Sequence, residues 1–413
     1  MRPRFAVRKM AILSAALALT VALAMSTAPS AQAQTYTPLH SFTGIPDGQW
    51  PYGGLVGDSN GNYYGTSQGG GTSNVGTVFE VNAAGTYSIV HSFRGADGKF
   101  PSSTLIIDSQ GVLYGTTYAG GAAGIGTVFK LQAGGQGEVT VLYSFRGNPD
   151  GRFPVAGLVM DASGNLYGVT SLGGTHNQGT VFKLDGSGNE TVLYSFGTGM
   201  VGTKGTDGAY PLASLVMDPQ GNLYGVTTGG GAHGLGTVFV VSQTGKEKVL
   251  HSFTGGSNDG AAPYYAALTR DSSGNLYGTT FAGGLPTGGY IGGEGVAFKV
   301  TASGKESVLY YFCSLNMCAD GDHPLGGLLQ GPNDVFYGTT VWGGYYFGTI
   351  FSLTTSGQEN WLWYFTNDNY YADGSQPYGP LIQDKSGAFY GTTRAGGSGY
   401  HNDGLGQVFK VVP

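Results

Sequence analysis

The sequence predicts an all-β chain folded as a seven-bladed β-propeller of four-stranded blades, with the last blade closed by the N-terminal strand. Two observations carry this prediction. First, a Tyr-Gly pair followed by Thr or Val and a glycine-rich stretch occurs seven times. The pairs start at Tyr64, Tyr114, Tyr167, Tyr224, Tyr277, Tyr337 and Tyr390, at spacings of 50, 53, 57, 53, 60 and 53 residues. Self-similarity at that period belongs to propellers and related arrays rather than to a mosaic of domains. Second, the two ends of the array are cut in complementary places. Pro38-Leu39-His40-Ser41-Phe42 is a fourth-type strand with no partners before it, and Gly406-Gln407-Val408-Phe409-Lys410-Val411 is a third-type strand with none after it. Pairing the ends gives seven strands of each type and leaves only short, protected sheet edges.

Each blade reads as four runs, and the segment 104–145 shows all of them. Leu105-Ile106-Ile107-Asp108 ends at the turn cluster Ser109-Gln110-Gly111, and Val112-Leu113-Tyr114-Gly115-Thr116-Thr117 follows. After a loop come Gly126-Thr127-Val128-Phe129-Lys130-Leu131 and then Val139-Thr140-Val141-Leu142-Tyr143-Ser144-Phe145. Their length, their β-branched and aromatic content and their Gly, Asn and Asp boundaries are those of strands. No helical periodicity intervenes. Within a blade, the Tyr of each Tyr-Gly pair is expected to pack against the neighbouring blade, with Gly allowing close backbone approach.

Ahead of the array, Arg2, Arg4, Arg8 and Lys9 precede an apolar run from Ala11 to Met25 and then Ala31-Gln32-Ala33. This is the layout of a secretory signal, so residues 1–33 are expected to be a signal peptide and 34–413 a single propeller domain. The apolar run is shorter than the roughly 20 residues of a membrane span, and nothing later is apolar enough to cross one. Loss of those four basic residues leaves 15 Lys and Arg against 25 Asp and Glu, a formal charge of −10. Nucleic acid and anionic membrane surfaces are poor partners for such a chain. A secreted, extracellular or periplasmic location follows from the leader. There Cys313 and Cys318, with four residues between them, are expected to pair as a local staple rather than bind metal.

Function is expected on the side of the ring that carries the long loops. One loop class holds Asp-Gly and then, after two intervening residues, Pro in every repeat: Asp47, Asp97, Asp150, Asp207, Asp259, Asp320 and Asp373. An Asx-type turn explains this pattern; a solvent-facing ring of carboxylates and aromatics is the alternative. On that second reading Asp97, Phe100, Asp150, Phe153, Asp207 and Tyr210 are candidate binding residues. The other loop class adds non-repeated residues: His176, His233, Glu294, Trp342, Tyr345, Tyr346, Tyr400, His401 and Asp403. His40, His91 and His251 share a fourth-strand position with Tyr143 and Tyr194 and read as packed structural rings. No metal site and no cofactor are expected, because no dense Asp-x-Asp loop and no helix after a Gly-x-Gly are present. No nucleophile elbow occurs. Glu294, Asp322 and Asp403 are unique to their repeats, but linear spacing does not bring two of them within the roughly 5 to 10 Å that paired-carboxylate chemistry uses.

The repeat Gly-Asn-Leu-Tyr-Gly-Thr-Thr, Gly-Gly, Gly-Thr-Val-Phe-Lys-Leu, Val-Leu-Tyr-Ser-Phe, Asp-Gly-x-x-Pro resembles the tandem repeat of the bacterial choice-of-anchor GloVer family, also called the Gloeo/Verruco repeat. Close instances stand at 274–280, 126–131 and 141–145. The resemblance covers the array and implies an exported, surface-associated protein; kelch propellers are a weaker likeness. Family members commonly end in sorting or anchoring tails, whereas this sequence stops at Pro413. Repeat six departs at Pro332-Asn333-Asp334-Val335-Phe336, and repeat five has Val296-Ala297-Phe298 for Thr-Val-Phe.

The sequence therefore favours a non-catalytic, monomeric binding or scaffold propeller for glycan or another cell-envelope polymer. The alternative is a propeller enzyme, a polysaccharide lyase or hydrolase, which would need unlike residues from several blades to converge at one end of the central channel.

Overall fold

A computed structural model describes residues 34–135, 138–197, 207–284, 293–344, 347–366, 373–397 and 404–413. The leader 1–33 and the candidates Tyr345, Tyr346, Tyr400, His401 and Asp403 lie outside the described residues. Seven four-stranded antiparallel sheets follow one another along the chain, and no helix among the described residues is long and apolar enough to span a membrane. Blade 2 is representative, pairing Ile106–Ile107, Val112–Thr117, Thr127–Gln132 and Thr140–Ser144 in that order. Blade 7 is made from both ends of the chain. Thr35–Ser41 lies antiparallel to Gln407–Val412, with Thr35 opposite Val412 and Ser41 opposite Gln407. Phe389–Thr393 and Ile382–Gln383 complete that sheet. Tyr36 on the closing strand stacks on Phe409 of its own blade and on Trp363 of blade 6.

First strands are two residues long, shorter than the runs read from sequence. Every pairing of third and fourth strands carries a register shift, as between Val128 and Phe129 in blade 2. A bulge of this kind re-aims the side chains beyond it.

The repeated residues explain themselves through packing. Tyr167 is 1% exposed and joins a cluster containing Leu215, Leu223 and Phe239 of blade 4, so it packs across the blade boundary. Its hydroxyl donates to Asp161 Oδ2 at 2.9 Å, and Asp161 Oδ1 accepts the backbone N–H groups of Ser163 and Asn165. One carboxylate thus fixes both the hairpin turn and the tyrosine. Gly168 is obligatory for another reason: a Cβ there would stand 2.7 Å from the Phe182 ring.

The residue after Tyr-Gly joins neighbouring blades in two ways. Thr116 and Thr392 donate to carbonyls of the next blade, Ala156 O and Gly53 O, at 3.0 and 2.9 Å. Val169 and Val226 fill apolar clusters at the same position instead. Tyr167→Ala is expected to cost about 3 to 5 kcal/mol, the range for truncating a buried aromatic. Chemical denaturation gives the value, and an unfolding midpoint equal to wild type would contradict the packing described.

Candidate functional site

The Asp-Gly carboxylates do not form an open acidic ring. His91 Nε2 lies 2.8 Å from Asp97 Oδ2, and the Arg94 N–H donates to Asp97 Oδ1. Asp150 accepts from Tyr143 and the Arg146 N–H, and Asp207 accepts from Tyr194 and the Gly197 N–H. The fourth-strand His or Tyr and the Asp-Gly turn are two halves of one lock. His40, His91 and His251 also set their rings edge-on to Phe42, Phe93 and Phe253. Asp97, Asp150 and Asp207 are therefore committed to holding the loop, which corrects the picture of solvent-facing ligands.

The residue before each proline forms a second ring. Trp50, Phe100, Phe153, Tyr210, Ala262, His323 and Gln376 all have φ between 49 and 58°. That left-handed conformation is costly for bulky side chains and persists only where the surroundings impose it. Here each N–H donates, at 2.7 to 2.9 Å, to a carbonyl of the preceding blade: Leu405, Val75, Ile125, Gln178, Leu235, Glu294 and Phe347 respectively. Phe100, Phe153 and Tyr210 are thus half-buried parts of the blade-to-blade clamp, and Phe153 also stacks on Tyr118 at 4.8 Å.

At the boundary of blades 5 and 6 this ring changes character. Glu294 stands where the equivalent residues are apolar or Gln178, and His323 stands where four of the equivalents are aromatic. His323 Nδ1 lies 3.2 Å from Glu294 Oε2 and 3.0 Å from Asp322 Oδ1. Phe281 and Trp342 enclose the imidazole, with ring centroids 4.3 and 4.9 Å away. Trp342 takes a position held by small residues or Leu172 in the other blades, is 37% exposed, and pairs its backbone with Asp322. Glu294 is only 5% exposed. Burial and, secondarily, Asp322 push its carboxyl up, against a downward pull from His323. Phe281 also packs edge-on against Tyr264, which adjoins Tyr265.

The chemistry follows from the orientation. The Asp322 acceptor at Nδ1, with the Glu294 carboxyl close beside it, favours the tautomer that carries its proton there, leaving the Nε2 lone pair available. Among the described residues Nε2 has no hydrogen-bond partner. The three donor atoms lie within 4.8 Å of one another, so the group could also hold a metal ion, as could His251, Asp259 and Glu306. The linear spacing, from which no metal site was expected, gave no sign of either juxtaposition.

The profile of the Gloeobacter/Verrucomicrobia repeat matches residues 26–204 and 198–317. The chain belongs to that family. No curated protein matches it. Solved structures similar to this Gloeobacter/Verrucomicrobia repeat protein include a candidate 6-phosphogluconolactonase from Bacteroides uniformis, 15% identical, with a TM-score of 0.52 over 83% of this chain and 89% of that one. A candidate gluconolactonase is 14% identical, with a TM-score of 0.42 over 81% and 95%. A candidate glucose dehydrogenase from Thermus thermophilus is 13% identical, with a TM-score of 0.44 over 92% and 100%. The first of these neighbours is described as an enzyme, which runs against the expectation of a non-catalytic scaffold. At such identity the likeness establishes the fold, so any activity of the repeat protein has to be argued from its own residues.

Of the candidates read from sequence, Glu294, Asp322 and Trp342 converge. His176 and His233 are exposed on the loops of blades 3 and 4, and no hydrogen bond or ring contact joins them among the described residues. Sequence alone marks Asp322 only as one of three acids unique to their repeats and does not mark His323 as a ligand or base, although the repeat register carries the signal. A lone imidazole occupies the aromatic pre-proline slot, next to a lone acid in an apolar one. Cys313 and Cys318 form a disulfide that closes the turn before Asp320.

Proposed function

We propose that this protein is an exported propeller enzyme that hydrolyses a carbohydrate beside the mouth of its central channel, with His323 as general base. The supporting observation is the convergence of four residues that break the repeat, Glu294, Asp322, His323 and Trp342, at one blade boundary. At the positions of Glu294 and His323 the other blades carry mostly apolar or aromatic residues, so these two ionisable side chains do not serve the closure of the ring.

In this reading Nε2 of His323 takes a proton from water as the water attacks the anomeric carbon; the glycosidic C–O bond breaks and the leaving oxygen takes a proton from solvent. Asp322 and Glu294 hold the ring through Nδ1 and balance the charge that develops on it, as orienting carboxylates do for a histidine base. Trp342 offers an exposed aromatic face to a sugar ring, a common pairing of apolar surface with a few placed polar groups. Export rests on the leader at residues 1–33.

Incubation of the mature protein with a panel of plant and bacterial polysaccharides tests the proposal, with reducing ends and ultraviolet absorbance followed together. Release of saturated reducing ends is expected from at least one class of polymer. No release from any of them contradicts the proposal, and an unsaturated product replaces hydrolysis by elimination.

A further inference from the structure

At the ring's axis, beside the entries to the first strands, lies a cavity of about 260 Å³ whose wall includes Tyr52, Tyr118, Tyr265 and Tyr378. Tyr265 is 46% exposed, yet it is crowded enough that burial, followed by Tyr378, Tyr52, Tyr264 and Tyr118, pushes its phenol up. Tyr265 thus lines the cavity while remaining partly exposed, and Tyr52, Tyr118 and Tyr378 line it beside Tyr265. Among the described residues the hydroxyls of Tyr118, Tyr265 and Tyr378 make no hydrogen bond.

Arg394 adjoins this cavity through Tyr52, one of its lining residues. Its Nε donates to the Tyr52 hydroxyl at 2.6 Å and its Nη1 to Gln376 Oε1 at 2.8 Å, while its guanidinium lies over the Tyr52 ring. Nη2 has no hydrogen bond among the described residues, and Arg394 forms no ion pair there. No Asp or Glu lines the cavity. In a chain with a net negative charge, a pre-oriented guanidinium bonded only to neutral groups is suited to an incoming carboxylate. Tyrosine faces and free phenols around it suit the ring and hydroxyls of a sugar.

We infer that the channel mouth is a subsite for an acidic sugar, a uronic acid residue whose carboxylate meets Arg394 while its ring lies among Tyr52, Tyr265 and Tyr378. This names the substrate class for the acid–base cluster and in that respect rests on the proposed function, although binding itself does not require turnover.

Calorimetric titration of the mature protein with trigalacturonate, its methyl ester and neutral galactotriose provides the test. The acid is expected to bind about ten-fold or more tightly than either neutral sugar, as one charge-assisted contact allows. Arg394→Gln should erase that preference, and Tyr265→Ala should weaken binding of all three. The ester comparison needs no altered protein, so it decides the matter even if a variant fails to fold. Equal affinities for acid and ester, or no binding of any, overturn the inference. His323→Asn should keep the binding. An acidic preference without turnover leaves the subsite standing and sinks the acid–base reading; turnover of neutral glycans without an acidic preference does the reverse.

Discussion

His323→Asn is expected to lower turnover by about 100- to 10,000-fold, the usual contribution of a positioned general base. Asparagine keeps a polar group of similar reach, and the clamp to blade 5 runs through the His323 backbone N–H, which any residue other than proline supplies. The fold should therefore survive while the proton acceptor is lost. Asp322→Asn and Glu294→Gln act through His323, so they should change the pH profile of turnover as well as its size. His323→Asn turnover within about three-fold of wild type would remove the residue from the chemistry.

Stability is expected to fall as pH rises from about 5 to 8. Glu190, Glu247, Glu306 and Glu359 open the fourth strands of blades 3 to 6 and sit beside Asp150, Asp207, Asp259 and Asp320. Burial first and the neighbouring Asp second push each of these carboxyls up to about 7 from an ordinary 4.5. One oxygen of each is buried with no hydrogen-bond partner, which suits a neutral acid better than an anion. Blades 1 and 7 place Tyr87 and Tyr36 at the same register, beside Asp47 and Asp373, so a neutral hydroxyl is what this position accepts.

Between pH 4.5 and 7 the unfolded chain releases these four protons and the folded chain keeps them. Stability therefore declines through that window and levels off above it. After discounting for partial exposure, each group contributes on the order of 1 kcal/mol. Asp47, Asp58, Asp161, Asp218, Asp259, Asp271 and Asp384 act in the opposite sense, their carboxyls lying below the ordinary value, so stability also drops in strong acid. The thermal midpoint should peak near pH 5, and replacing the four glutamates by glutamine should flatten its alkaline side. A wild-type midpoint equal or higher at pH 8 would contradict the neutral-acid reading.

Most of the fold was legible because it is written locally. Tyr-Gly, Gly-Thr-Val-Phe and the cut at Phe42 and Val411 specify strands, their neighbours and the closure, and the choice of Thr or Val after Tyr-Gly specifies a hydrogen bond or an apolar contact. The site was legible only in part, because its partners come from different blades. Glu294 and His323 are 29 residues apart and meet only when adjacent blades dock. The Asp-Gly turn was legible from sequence, but not the fourth-strand side chain that takes up its carboxylate. A carboxylate in every loop looks like a repeated ligand until the fourth-strand His or Tyr in the same register is seen to occupy it. Tyr265 and Arg394 carry no repeat signature and required the channel itself.

The most direct measurement of the central claim is the tautomer of His323, read from ring nitrogen chemical shifts in ¹⁵N-labelled protein at a pH where the imidazole is neutral. The account predicts a protonated Nδ1 held between Asp322 and Glu294 and a bare Nε2. A proton on Nε2 with Nδ1 bare would contradict it, because the nitrogen assigned to take a proton from water would already be occupied.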